Sequence, residues 1–99
     1  MKLLAYVHGY PPAHNAGAEW MLHAWLRWLQ TRGHAVTVIA TRFATPGVFQ
    51  GIPVLSRQSP QAARALMAQA DCVITHLDNS ETVLQLARGV RSDPDDGDL

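Results

Sequence analysis

The amino-acid sequence predicts an α/β fold, a partial doubly wound (Rossmann-like) parallel sheet of about four strands in order 3-2-1-4 with three helices. Short apolar runs rich in β-formers alternate with segments of helical periodicity, which favours a parallel sheet with helices on both faces. Right-handed crossovers then set the expected strand order. The expected strands are Lys2–Val7, Ala35–Ala40, Ile52–Leu55 and Cys72–Thr75.

The first strand is expected at the centre of the sheet. Lys2–Val7 is a continuous apolar run of the kind that is buried on both faces. A loop is predicted over His8–Asn15, because Gly9 and the Pro11-Pro12 pair exclude regular structure. In an open α/β sheet the loop after the first strand lies at the carboxyl edge, where ligands bind.

The strongest helix is predicted over Ala16–Arg32, with Asn15 as its N-cap and Gly33 at its end. One apolar stripe follows the helical period and should face the core, so Trp25 is expected to be buried. This stripe consists of Ala18, Leu22, Trp25 and Leu29. The opposite, solvated face is expected to carry Glu19, His23, Arg27 and Gln30.

The second strand, Ala35–Ala40, is β-branched, and a loop with a Pro46-Gly47 turn is expected over Thr41–Gly51. Ile52–Leu55 contains Pro53, which cannot donate to a ladder, so it is expected to be an edge strand if it is a strand.

The remaining chain predicts helix, strand and helix. Ser59 and Pro60 are typical of a helix N-cap and first helical position. Cys72–Thr75 is expected to be a buried strand, and Asp78 is expected to cap a last helix that ends at Gly89.

Composition narrows the function classes. The chain has 99 residues, of which 47% are hydrophobic and 16% charged, and this indicates one small globular domain. Four of its eight acids lie in the last seven residues, which leaves residues 1–92 with a net charge of +4. That charge is too dispersed for nucleic-acid binding, and the apolar start is too short for a signal peptide or a transmembrane segment. We expect a cytoplasmic domain over residues 1–90 and a disordered acidic tail over 91–99.

The start of the first helix is the main candidate site. Its N–H groups and positive dipole end would point into the loop, which favours an anion such as a phosphate. Asn15, Ala16 and Gly17 are the expected binding residues, although Gly17 could instead serve packing. The sequence contains no Gly-x-Gly-x-x-Gly fingerprint and no Walker loop, so no nucleotide cofactor is expected.

Five further residues have side chains that could take part in binding or chemistry. His14 could contact a phosphate or be a solvated loop residue, and Trp20 could stack on a sugar or pack against the loop. Glu19 and His23 have a spacing that suits a metal, but no third ligand follows, so no metal site is predicted and a solvated ion pair is favoured. Cys72, the single cysteine, is expected to be a small buried hydrophobe.

Three stretches together resemble the N-terminal domain of the retaining, nucleotide-sugar-dependent glycosyltransferases of GT-B fold (glycosyltransferase family 4-like). His8-Gly9-Tyr10-Pro11-Pro12 followed by Ala16-Gly17-Ala18-Glu19 is similar to the family's proline-containing loop and its Gly-Gly-x-Glu helix opening. Leu29 to Ile39 resembles its helix-to-strand joint, with Arg-Gly-His before a Val-x-Val strand. Ala70 to His76 resembles its Asp-Val-Val strand that ends in His, and Ala16 departs from the family by replacing the first glycine.

The resemblance implies the acceptor side of a glycosyl-transfer cleft. His76 would orient a sugar hydroxyl or cap the next helix, and Asp78 could be a sugar ligand or an N-cap. In the family, another strand and a C-terminal domain that holds most of the nucleotide-sugar would follow Gly89-Val90. The chain is therefore expected to be a truncated transferase that is inactive alone and whose catalytic residues lie beyond residue 99.

Two other functions stay open. Without a further strand, Cys72–Thr75 becomes an unpaired apolar edge that could self-associate or bind a partner protein, as in a non-catalytic binding module. A flavodoxin-like regulatory domain is disfavoured, because such domains usually have carboxylates after the first strand, where this chain has His8-Gly9.

Overall fold

A computed structural model describes residues 1–14, 17–75 and 80–90. The elements that it contains are β1 (Lys2–Gly9), α1 (Gly17–Thr31), β2 (Ala35–Phe43), β3 (Gly47–Phe49), β4 (Ile52–Leu55), α2 (Pro60–Gln69), β5 (Cys72–Thr75) and α3 (Ser80–Val90). The expected acidic tail over 91–99 lies outside the described residues.

The sheet has five described strands in the order β3-β4-β2-β1-β5. β1 pairs in parallel with β2 and β5, β2 pairs in parallel with β4, and β3 pairs antiparallel with β4. The α/β class with three helices is confirmed for this part of the chain. The predicted strand set was incomplete: the four expected strands keep their relative order, and β3 adds a fifth strand outside β4.

The segment that was expected to be a loop forms a hairpin instead. β2 continues to Phe43, and Gly47–Phe49 pairs with Ile52–Leu55 through a two-residue turn. Gln50 and Gly51 in that turn have φ values of 48° and 86°, and two positive φ angles are the property of a type I′ turn. Consequently β4 is not the sheet edge, although it contains Pro53, because β3 covers it.

β1 is the buried centre of the sheet, as its apolar run predicts. Leu3, Ala5 and Val7 face a core under α1, whereas Leu4 and Tyr6 face a core under α2 and α3. The alternation of a strand sends successive side chains to opposite faces, so β1 contributes to both cores.

The predicted cap of α2 is confirmed. The Ser59 hydroxyl accepts a hydrogen bond of 3.1 Å from the Ala62 N–H, and Pro60 occupies the first turn. This bond satisfies one of the N–H groups that a helix start leaves unpaired.

The predicted faces of α1 are wrong for three residues, although Leu22 is buried as expected. Glu19 and His23, expected in solvent, are only 7% and 3% exposed, and they point inward with Leu22 and Leu26. Trp25, expected in the core, is 49% exposed. The helix therefore turns a polar edge toward the protein, and this orientation is stable because His23 and Gln30 find hydrogen-bond partners on the loop and the hairpin.

β5 has one described neighbour, β1, and so forms the edge of the described sheet. Its start is fixed by two bonds of 2.7 Å, one from the Lys2 N–H to Asp71 Oδ2 and one from the Asp71 N–H to the Lys2 carbonyl. Cys72 is exposed, which corrects the expected buried position, because an edge strand lacks a neighbour on one side.

None of the described helices combines the length and the apolar character that crossing a membrane requires.

The rotation of α1 predicts that truncating two adjacent side chains lowers the free energy of unfolding by unequal amounts. Leu26 has no exposed surface, so Leu26→Ala should lower the free energy of unfolding by about 2–5 kcal/mol. Trp25→Ala should cost only about 1 kcal/mol, because half of the side chain is already in solvent. Urea denaturation followed by circular dichroism measures both, and a larger loss for Trp25→Ala would contradict this rotation of the helix.

Candidate functional site

The loop after β1 is held at the carboxyl edge of the sheet by backbone hydrogen bonds. The Tyr10 N–H donates to the Phe43 carbonyl over 3.0 Å, and the His14 N–H donates to the Tyr10 carbonyl over 3.1 Å. Pro11 is buried and joined to Pro12 by a cis peptide bond. These contacts place the loop where open α/β sheets bind their ligands.

Gly9 allows His14 to fold back over the strand end. A Cβ on Gly9 would overlap the imidazole and the Cβ of His14, so only glycine permits this approach. The His14 ring also lies 5.0 Å from the ring of Phe43, measured between centroids. His14 is therefore a packed part of the loop, which disfavours the simple solvated alternative.

Gly17 opens α1 and is exposed. A Cβ added at Gly17 would meet no atom within 4 Å among the described residues. Packing against the described residues therefore does not require a glycine here. The other two predicted members of this site, Asn15 and Ala16, lie outside the described residues.

Glu19 is the main residue that the sequence prediction misplaced. Its Oε1 lies 3.6 Å from His14 Nδ1, and the carboxylate is buried beside the loop. Neither Glu19 Oε2 nor His14 Nδ1 has a hydrogen-bond partner among the described residues. A carboxylate in the first turn interacts favourably with the helix dipole, so Glu19 supplies the negative charge that this helix start attracts.

Behind Glu19, a chain of hydrogen bonds fixes α1 to the loop and the hairpin. The Tyr10 hydroxyl lies 2.6 Å from His23 Nδ1, and His23 Nε2 lies 2.9 Å from Gln50 Oε1. Arg27 also donates to Gln50 Oε1, over 3.4 Å. Because an amide oxygen only accepts, His23 Nε2 is the donor, and in the neutral imidazole Nδ1 accepts the Tyr10 proton.

Trp20 lies between the loop side and the hairpin side of α1. Its ring contacts those of His23 and Phe49, at centroid distances of 5.9 and 5.8 Å. It remains 39% exposed, so part of an aromatic face is accessible near the helix start. Stacking on a sugar and packing against the loop both stay predictions.

His76 and Asp78, the two other predicted site residues, lie outside the described residues. β5 ends at Thr75, whose register partner is Tyr6, three residues before Gly9. The described part of β5 therefore ends beside β1 three residues before the carboxyl end of that strand.

The groups around the helix start suit a neutral polar ligand. A buried carboxylate oxygen and an imidazole nitrogen lie beside the first turn of α1. A carboxylate accepts hydrogen bonds, whereas the N–H groups of a first helical turn donate them. The described residues contain no group of three or more His, Cys, Asp or Glu that could hold a metal ion.

No protein family, curated protein or solved structure was found to match this chain.

Tyr10 makes the stability of the fold sensitive to alkaline pH. Burial raises the pKa of its hydroxyl above the ordinary value of 10.0. The unfolded chain then loses this proton before the folded chain does, so the free energy of unfolding should fall as the pH rises above about 10, by at most about 1.4 kcal/mol per pH unit.

Tyr10→Phe should reduce this alkaline slope and, at neutral pH, cost about 1–3 kcal/mol because His23 Nδ1 loses its donor. Urea denaturation at several pH values measures both effects. Tyr6→Phe is the matched control, since it retains Tyr10. An unchanged slope in Tyr10→Phe would show that the buried hydroxyl does not cause it.

Proposed function

We propose that this chain is the acceptor-side, N-terminal domain of a glycosyltransferase of GT-B type that uses nucleotide-sugar donors. The observation that carries the proposal is the buried Glu19 carboxylate, whose Oε2 has no partner among the described residues and which lies beside His14 at the start of α1. The loop and helix opening that hold this pair are also the stretch that resembles the family. A cytoplasmic location is part of the same proposal.

A sugar hydroxyl suits this arrangement because it both donates and accepts. It would donate to Glu19 Oε2 and accept from an N–H group at the helix start, with His14 Nδ1 as a further partner. The accessible part of Trp20 offers an apolar surface for the C–H face of a sugar ring. Asn15, Ala16, Gly17, His76 and Asp78 remain proposed contributors to the same cleft.

The Glu19 carboxylate favours a neutral sugar acceptor at this position over the phosphate of a nucleotide-sugar donor. Two negative charges 4 Å apart repel each other by about 4 kcal/mol at an effective dielectric constant of about 20. A phosphate beside Glu19 would meet this repulsion, whereas a neutral hydroxyl would not. We therefore propose that the helix start, where the sequence predicts an anion site, binds a sugar hydroxyl group instead of a phosphate.

Catalytic roles are not assigned to described residues. In the family that the chain resembles, a second domain holds most of the nucleotide-sugar, so this domain would supply one wall of the cleft. The direct test of the proposal is therefore sugar binding and not turnover.

Glu19→Gln should weaken sugar binding about tenfold or more, because it removes a charge-assisted hydrogen bond. The probes are methyl glycosides of glucose, mannose, galactose and N-acetylglucosamine, with UDP-glucose and GDP-mannose in parallel. Emission of Trp20 is followed in a Trp25→Phe/Trp28→Phe background, which leaves it as the only tryptophan of the chain.

Glu81→Gln is the charge-matched control, because Glu81 is exposed on α3, which packs on the other face of the sheet. It should leave every titration unchanged. The proposal fails if none of the six probes changes the emission of Trp20, or if Glu81→Gln weakens binding as much as Glu19→Gln does.

A second candidate function is a non-catalytic binding module that pairs through β5. The observation in its favour is that β5 has a single neighbour among the described strands, and an edge strand is a template for pairing with another chain. Self-association or capture of a partner protein would use the same backbone groups.

Cys72→Lys should abolish such pairing, because a lysine at an exposed edge position opposes strand addition. Sedimentation velocity of the wild-type chain should show a dimer that Cys72→Lys converts to monomer. Cys72→Ser, which adds no charge, should remain dimeric. A monodisperse wild-type monomer that unfolds cooperatively would contradict self-association through β5.

A further inference from the structure

The outward face of α1 is apolar over most of its length. Met21, Trp25 and Trp28 are spaced four and three residues apart and share one side of the helix. Met21 is 75% exposed and Trp28 is 50% exposed. A helix on the surface of a globular domain normally presents charged and polar residues on this side, so α1 shows the reverse arrangement.

The inward polar residues explain why the helix keeps this rotation. His23 is bonded through both ring nitrogens, and Gln30 Nε2 donates to the Gly51 carbonyl over 2.8 Å. Rolling α1 to bury its tryptophans would break these bonds and leave polar groups unpaired, which is costly. The apolar face is therefore held outward by the fold.

The exposed charges of α1 and of Arg32, the residue that follows its end at Thr31, are positive. Arg27 and Arg32 are exposed, whereas Glu19, the only acid in the helix, is buried. The Arg32 guanidinium lies over the Trp28 ring, 5.0 Å from its centroid. Arg32 thus lies beside the apolar face, while Arg27 lies about 100° around the helix from Trp28 and bonds Gln50. A helix that lies in the interface of an anionic membrane carries tryptophan and other apolar side chains on one face and arginines at the border of that face or opposite it.

The position of α1 in the fold leaves this face accessible. α1 packs on one side of the sheet, while α2 and α3 pack on the other. A helix of 15 residues is about 22 Å long, so α1 presents a straight ridge to a flat surface.

We propose that the outward face of α1 binds the surface of an anionic lipid bilayer, with Met21, Trp25 and Trp28 in the interface and Arg27 and Arg32 at the headgroups. This surface is separate from the sugar-binding residues proposed above. A second copy of the chain fits less well, because two α1 ridges in contact would bring the Arg32 side chains of both copies together with no exposed carboxylate of either helix to neutralise them.

The test is co-sedimentation of the full 99-residue chain with vesicles. Vesicles of phosphatidylcholine with about one third phosphatidylglycerol should bind the chain, with a blue shift of tryptophan emission, and pure phosphatidylcholine should bind it several-fold less. Trp25→Ser/Trp28→Ser should lower the partition coefficient on the anionic vesicles by about tenfold or more. Arg32→Glu should weaken binding about fivefold or more, and this loss should shrink at high salt.

Leu84→Ser is the matched control, because Leu84 is an exposed apolar residue on α3, on the other face of the sheet. It should bind vesicles as the wild type does, and circular dichroism should show that every variant is folded. Equal binding to both vesicle types, an equal loss in Leu84→Ser, or a dimer that Trp25→Ser/Trp28→Ser dissociates would each overturn the proposal.

Discussion

The buried imidazole of His23 is the constraint on which this structure depends. A histidine in that position requires partners for both ring nitrogens, and the fold supplies them from two different segments, Tyr10 in the loop after β1 and Gln50 in the turn of the hairpin. One side chain thus joins the central strand, the long helix and the outer hairpin. The type I′ turn matters in the same network, because it holds Gln50 at the end of β3, next to α1.

Both surfaces with proposed functions result from the rotation of α1 about its own axis, which the bonds of His23 hold. With His23 turned inward, Glu19 lies one helical turn earlier on the same side and reaches the loop beside His14. The opposite side of the helix then carries Trp25 and Trp28 into solvent. The sugar-binding proposal and the membrane proposal use different residues, but both depend on the position in which the His23 bonds hold α1.

The sequence predicts those parts of the fold whose signal is local. Apolar runs identify β1, β2 and β5, and Ser59-Pro60 identifies the start of α2. β3 has three residues, and a Gln-Gly turn lacks the usual Asn-Gly or Asp-Gly signature, so the hairpin was missed. The rotation of α1 was missed because the partners of His23 lie 13 and 27 residues away. At the site, the sequence identified Gly17, Glu19 and His14 as candidates, but burial of Glu19 is visible only in three dimensions.

Long-range ¹H–¹⁵N NMR of the histidine side chains tests the central constraint most directly. The two hydrogen bonds of His23 predict that its imidazole is in the Nε2–H form, that the Nε2 proton exchanges slowly with water, and that this proton shows nuclear Overhauser contacts to Gln50. A His23 ring in the Nδ1–H form, or one that exchanges its proton as a solvent-exposed imidazole does, would contradict this prediction, because the bonds to Tyr10 and Gln50 would then not hold the polar edge of α1 inward.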